Sequence, residues 1–211
     1  MATTTPASTT TKSNPRMGRW IGIGVLVLII FYVAGAYNKM VKADEVVNQK
    51  WGDVESTYKR RMDLIDNLVN TVKGAADFEK STFTEVTEAR AKATSINIDP
   101  STATPEQLAA FNQAQGAVSS SLSRLLLVVE NYPTLTATQN FKELQSQLEG
   151  TENRINVARI DYNAAVKDFN TRVRSFPGNL IAGIFGMEKR NTFDAPEEAE
   201  TAPKVDFSDN K

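Results

Sequence analysis

The sequence predicts an all-α protein, with an N-terminal transmembrane helix followed by an up-down bundle of three to four long antiparallel helices. Three observations carry that expectation. Trp20 to Tyr37 is an apolar run without a single charge. Beyond it, apolar side chains recur at alternating steps of three and four through most of the chain. No alternating β pattern of any length is found.

The apolar run comes first. Its eighteen residues, marked by Trp20, Ile21, Val25, Leu28, Phe31 and Tyr37, would span roughly 27 Å as a helix, enough for a slightly thin hydrocarbon core. Aromatic ends and flanking Arg16, Arg19 and Lys39 suit the two interfaces. A cleaved signal would want small residues after the run, and "VAGAYNKM" offers a weak site near Ala36. The run is long for a signal and flows into helix without a break, so an uncleaved anchor is the expectation. Lys12, Arg16, Arg19 and the amino terminus precede it and Lys39, Lys42 and Lys50 follow, a one-charge margin for the bulk of the chain lying outside. The organisation read from these shifts is a disordered tail (1–15), an anchor (16–39), a helical bundle (40–188) and a flexible polar tail (189–211).

Helix one follows. No proline occurs between Pro15 and Pro100, and Val47, Trp51, Val54, Tyr58, Ile65, Leu68, Val72, Ala75, Val86, Ala89, Ala93 and Ile96 hold a heptad that only Arg61, Glu79 and Thr82 interrupt. One continuous helix from Asn38 to Ile96 would be roughly 88 Å long. "NIDPSTATPEQL" ends it, with Thr104 as N-cap and Pro105 at the first helical position of helix two. Helix two carries Leu108, Phe111, Val118, Leu122, Leu125, Leu126 and Val129, and Pro133 stops it. Thr136 with Gln139 reads as a capping box for helix three. There Phe141, Leu148, Ile155, Tyr162 and Phe169 repeat every seventh residue, with Leu144, Thr151, Ala158 and Ala165 in the second seam position. Such a helix packs along its whole length.

Function is narrowed first by what is missing. The 211 residues carry 24 basic and 25 acidic side chains, so no global field draws in nucleic acid. There is no Cys and no His, which removes thiol chemistry, the commonest general base and the commonest metal ligand. Neither a cofactor nor an enzymatic activity is expected.

The most polar stretch is "QLEGTENRINVARIDYN", residues 147–163. Glu149, Glu152, Asn153, Arg154 and Arg159 gather on helix three, and helix one offers complements in Arg60, Arg61, Asp63, Asp66, Asn67 and Asn70. In one reading these form a lattice of ion pairs and amides that fixes helix register. In the other, Glu149, Glu152 and Asp63 hold a metal, as carboxylates do in di-iron bundles; those bundles also use Glu-x-x-His, which this chain lacks. The lattice is therefore preferred. Gly150 fits it as a point of close helix approach, beside which Trp51 or Tyr58 could insert. Finally, "FPGNLIAGIFGM" places Leu180, Ile181, Ile184, Phe185 and Met187 on a piece too short to be stable alone, so it must dock. Covering the end of its own bundle is the plainer expectation; a patch for self-assembly or for the membrane surface is the functional one. If "NYPTLTA" reverses the chain, helix three runs away from the membrane and the stripe meets protein, not bilayer.

"YNKMV", "WGDVESTYKRRMDLIDNLVNTVKG", "LLLVVENYP", "FKELQSQLEGTENRINVARIDYN", "FNTRVRSFPGN" and "PKVDF" resemble the LemA family of bacterial membrane-anchored helical proteins. The resemblance implies a bundle of long helices behind one anchor, in the bacterial inner membrane. It carries no established activity and no catalytic residues. One relative acts in building magnetosome membranes and some members are encoded beside membrane proteases, which implies a non-enzymatic envelope scaffold with protein partners, a protease or a second copy among them. The family's proline in "DLIPNLV" is Asp66 here, so helix one should run straight. Its "HE" is Phe78-Glu79, which removes any His-dependent role.

Overall fold

The computed structural model describes residues 15–74 and 80–193, and the side chains of Arg19 to Gly74 and Ser81 to Phe193. Among the described residues six helices follow in order: α1 (Pro15–Lys73), α2 (Lys80–Ser95), α3 (Pro105–Val129), α4 (Pro133–Thr136), α5 (Gln139–Arg174) and α6 (Gly178–Phe185). No strand occurs among the described residues. The all-α, antiparallel reading holds.

Helix α1 is unbroken from the apolar run into the bundle, and it passes straight through Asp66, which pairs with Arg90. It does not reach Ile96. Lys73 closes its last turn and Gly74 follows, the ordinary stop signal for a helix. Helix α2 then returns alongside α1. Lys73 Nζ lies 5.0 Å over the Phe83 ring, and Arg90 Nε donates to the Met62 carbonyl at 3.4 Å. The heptad thus belongs to two helices that share a core, and the expected rod from Asn38 to Ile96 is folded in half. Ala75, Phe78 and Glu79 lie outside the described residues.

That fold-back changes every later direction. Helix α3 runs away from the apolar end, antiparallel to α2, with Phe111 beside Trp51 and Gln115 and Ser119 farther along at Arg61. Thr104 caps it in a capping box with Gln107. The turn α4 reverses the chain, and α5 runs back toward the apolar segment: Gln147 meets Arg60, Asp161 meets Lys50, and the Arg172 carbonyl lies beside Met40. The expectation that this helix points away from the membrane end is therefore wrong by one reversal.

All five heptad residues Phe141, Leu148, Ile155, Tyr162 and Phe169 are buried, as are Val47, Trp51, Val54, Tyr58, Ile65, Leu68 and Val72 of α1. They fill two clusters. One runs from Met40 to Tyr58 and takes in Phe111, the end of α5 and α6; the other holds Met62 to Val72 with α2, α3 and the start of α5. Three local readings are corrected. The cap of α5 is Thr138, whose hydroxyl accepts from Phe141 N, not Thr136. A Cβ on Gly150 would meet no other part of the molecule within 4 Å, so it marks no close helix contact. Residues 189–193 are not a loose tail, because Phe193 is buried in the first cluster.

Candidate functional site

Three features of the molecule are candidates for function: a buried arginine, an aromatic hub closed by a C-terminal strap, and an exposed apolar end.

Arg61, which breaks the heptad of α1, is only 3% exposed. One guanidinium nitrogen donates to Glu152 Oε2 at 3.0 Å and to Ser119 Oγ at 3.1 Å; the other reaches the Gln115 side chain and carbonyl. One residue thus ties α1 to both α3 and α5. Its Cζ lies 5.0 Å from the centroid of the Tyr58 ring, the geometry of a cation–π contact. Burial pushes the Tyr58 phenol upward, against the pull of Arg159 and Arg61. Around this junction the other polar-seam residues are less engaged. Arg60 makes a 3.5 Å bond to Gln147, and Arg159 lies 5.0 Å from the Phe193 ring. Asn153 and Arg154 are exposed and line an open groove with Asp53 and Thr57 of α1. Asp63 is exposed on the rim of a cavity of about 350 Å³ that Trp51, Met62 and Phe111 also line. Glu149 is exposed and accepts from Gln145 at 3.3 Å.

Glu149, Glu152 and Asp63 therefore do not converge. Glu152 is held by Arg61, and no group of three carboxylates among the described residues is placed to hold a metal. Ion pairs and amide hydrogen bonds link the helices here.

The aromatic hub lies one layer nearer the apolar end. Trp51 contacts Phe111 at 6.0 Å and Tyr162 at 5.4 Å, and stacks on Phe193 at 5.6 Å with 14° between the rings. Phe193 arrives on a strap fastened by two asparagines one heptad apart on α5. Asn170 exchanges a pair of 2.8 Å bonds with the backbone of Arg190, and Asn163 does the same with Phe193 at 2.9 and 3.0 Å. Arg190 pairs with Asp44 of α1 and donates to the Pro100 carbonyl, while Asn191 donates to the Ala103 carbonyl. The Tyr162 hydroxyl donates to the Asn191 carbonyl at 3.1 Å, and burial pushes it up to about 12. The strap was missed in the sequence because its signals are an isolated Phe in a polar segment and two Asn flanking a seam, both of which ordinarily mean solvent.

The third feature is the apolar end. Trp20, Ile21, Val25, Leu28 and Phe31 are all exposed, on a helix long and apolar enough to cross a membrane. Tyr37 is half-buried, its ring 4.5 Å from that of Phe185 on α6. Helix α6 docks through Ile181 and Ala182, and leaves Leu180, Ile184 and part of Phe185 uncovered. A Cβ on Gly178 would fall 2.4 Å from the Arg172 carbonyl and 2.8 Å from Met40 Cε, so only glycine permits this chain reversal against α1.

These features define a class: an antiparallel helical bundle continuous with one apolar helix, whose polar groups hold helices together. Within that class the chain belongs to the LemA family, whose model matches residues 50–207. It is 28% identical to the magnetosome protein MamQ 2 of Paramagnetospirillum magneticum over 198 residues, 85% of this chain and 73% of that protein. It is 27% identical to MamQ of Magnetospirillum gryphiswaldense over 206 residues, 86% of this chain and 76% of the relative. A protein LemA of Metamycoplasma hominis is 22% identical over 175 residues, 82% and 76% of the two chains.

Proposed function

We propose that this protein is a non-enzymatic, single-pass membrane scaffold of the bacterial cell envelope, presenting a stiff helical bundle to protein partners or to a second copy of itself. The observation that carries the proposal is the continuity of α1. The same helix that exposes Trp20 to Tyr32 supplies the core residues Val47 to Val72. Such an arrangement fixes a protein surface at a set distance from a bilayer, which is what a scaffold needs and what a catalyst does not require. The likeness to two magnetosome proteins supports a membrane-associated role, and the absence of His and Cys from the sequence supports a non-enzymatic one. The one-charge margin across the anchor leans the bundle to the extracytoplasmic side.

Crosslinking of the full chain in native membranes tests the scaffold reading. Discrete crosslinked products containing the chain, with itself or with a co-purifying protein, are expected. Exclusively uncrosslinked chain carrying stoichiometric bound metal would replace this reading with that of a carboxylate metalloprotein. A reporter fused after Lys211 tests the side of the membrane, and a cytoplasmic signal reverses the orientation.

A further inference from the structure

We propose that α6 is a second, surface contact with the bilayer: its uncovered face, with Phe176, lies in the headgroup layer beside the point where α1 leaves the membrane. The inference rests on the membrane-anchored reading of α1.

The uncovered face is Leu180 and Ile184, four apart and 59% and 76% exposed, with Phe185 beside them at 49%; Phe176, just before the helix, is 81% exposed. Three large apolar side chains on α6, with Phe176 just before it, form a patch that soluble surfaces seldom carry without an occupant. Its position identifies the occupant. Phe185 meets Tyr37, the last residue of the apolar run, and Val33 and Ala36 pack against the same cluster that contains Ile181 and Ala182. Val33 belongs to the last turns of the span, so α6 cannot dock as it does without standing at the membrane boundary. The patch is thus continuous with the exposed apolar surface from Trp20 to Tyr32.

Orientation agrees. Gly178 at the start of α6 is level with Met40, and Phe185 at its end is level with Tyr37. Along α1 those levels differ by about 4.5 Å, whereas the eight residues of α6 cover about 12 Å. The element lies across α1, as an interfacial helix would beside a spanning one. Exposed Lys39, Lys42, Arg174 and Lys189 surround this end and suit anionic headgroups. Glu45 and Glu188 are the exposed acids nearby and leave the balance basic.

The chain has no Cys, so single cysteines can carry an environment-sensitive fluorophore. Full-length Ile184→Cys, Leu180→Cys, Phe31→Cys and Ile160→Cys proteins would be reconstituted in phosphatidylcholine–phosphatidylglycerol vesicles with acyl chains brominated at the upper carbons. The expected result is strong loss of fluorescence at positions 31, 180 and 184, and none at 160, which lies on α5 beside Asp161. Quenching at 31 without quenching at 180 and 184 overturns the proposal and leaves the anchor standing. If 180 and 184 are shielded but unquenched, and the shielding disappears at one chain per vesicle, the occupant is a second copy and the proposal fails. Loss of quenching at 31 defeats the anchor reading and this one together.

Discussion

Arg61 shows how one side chain can specify a bundle that apolar seams alone would leave loosely registered. The two terminal nitrogens of a guanidinium buried among α1, α3 and α5 find partners only when Gln115, Ser119 and Glu152 arrive at one level. Arg61→Ala should therefore cost about 3–5 kcal/mol, since it strands polar partners and opens a void. Glu152→Ala should cost less, about 1–3 kcal/mol, because half of the Glu152 side chain reaches water. Glu149→Ala and Arg154→Ala should stay within about 0.5 kcal/mol. Melts of the full chain in detergent rank these variants, and equal shifts for all four would remove the register role. A second prediction concerns alkaline pH. Tyr162 ionises near 10.0 when unfolded and is pushed up to about 12 by burial in the fold, and Tyr58 moves in the same direction. The folded state holds these protons longer, so the stability is fully present below about 10 and falls as pH rises toward about 12. Tyr162→Phe should flatten that decline, as followed by helicity against pH; an unchanged curve would show that Tyr162 does not control it.

At the scale of elements, most helices were legible and their turns were not. The α5 seam was readable because a five-fold heptad leaves little choice of face, and Thr104 was readable because Pro105 fixes the start of α3. The break after Lys73 was passed over because α2 keeps the register of α1, so the period continues although the helix does not. Only Lys73 and Gly74 signal the stop. The cap of α5 was misplaced for a similar reason: Thr136 and Thr138 both precede the helix, and the one-turn α4 consumes the first. Thr138→Ala should cost about 1 kcal/mol, and Thr136→Ala much less. Equal losses in paired melts would mean that the hydroxyls stabilise α4 rather than α5. The strap was not legible, because its anchor Phe193 has no periodic neighbours. Phe193→Ala should nonetheless cost about 3–5 kcal/mol, as befits a ring among Trp51, Tyr162 and Arg159. A negligible loss in denaturant titration would show that the strap is decoration.

For the whole molecule, the decisive error lay in counting reversals. The early fold-back of α1 adds one, which brings the end of α5 and all of α6 to the apolar segment instead of the opposite pole. No local pattern encodes that parity; it follows only from where each helix stops. The consequence can be tested by truncation. Removing residues 1–32 keeps Val33, Ala36 and Tyr37 on the core and should leave a soluble, fully helical bundle. Removing residues 1–37 strips those contacts and should melt several degrees lower, since each kcal/mol is worth roughly 2–4 °C in domains of this size. Matching melts would show that α6 does not depend on the apolar run. The unbroken α1 has a mechanical meaning as well. If the apolar run spans a bilayer as proposed, the part from Asn38 to Lys73 is a lever arm of about 54 Å with its pivot there. A thinner or thicker membrane changes the tilt of a spanning helix, and a change of about 10° would swing the Lys73 end by about 9 Å. Because α1 is one unbroken helix, such anchoring would convert lipid thickness directly into the position of a protein surface.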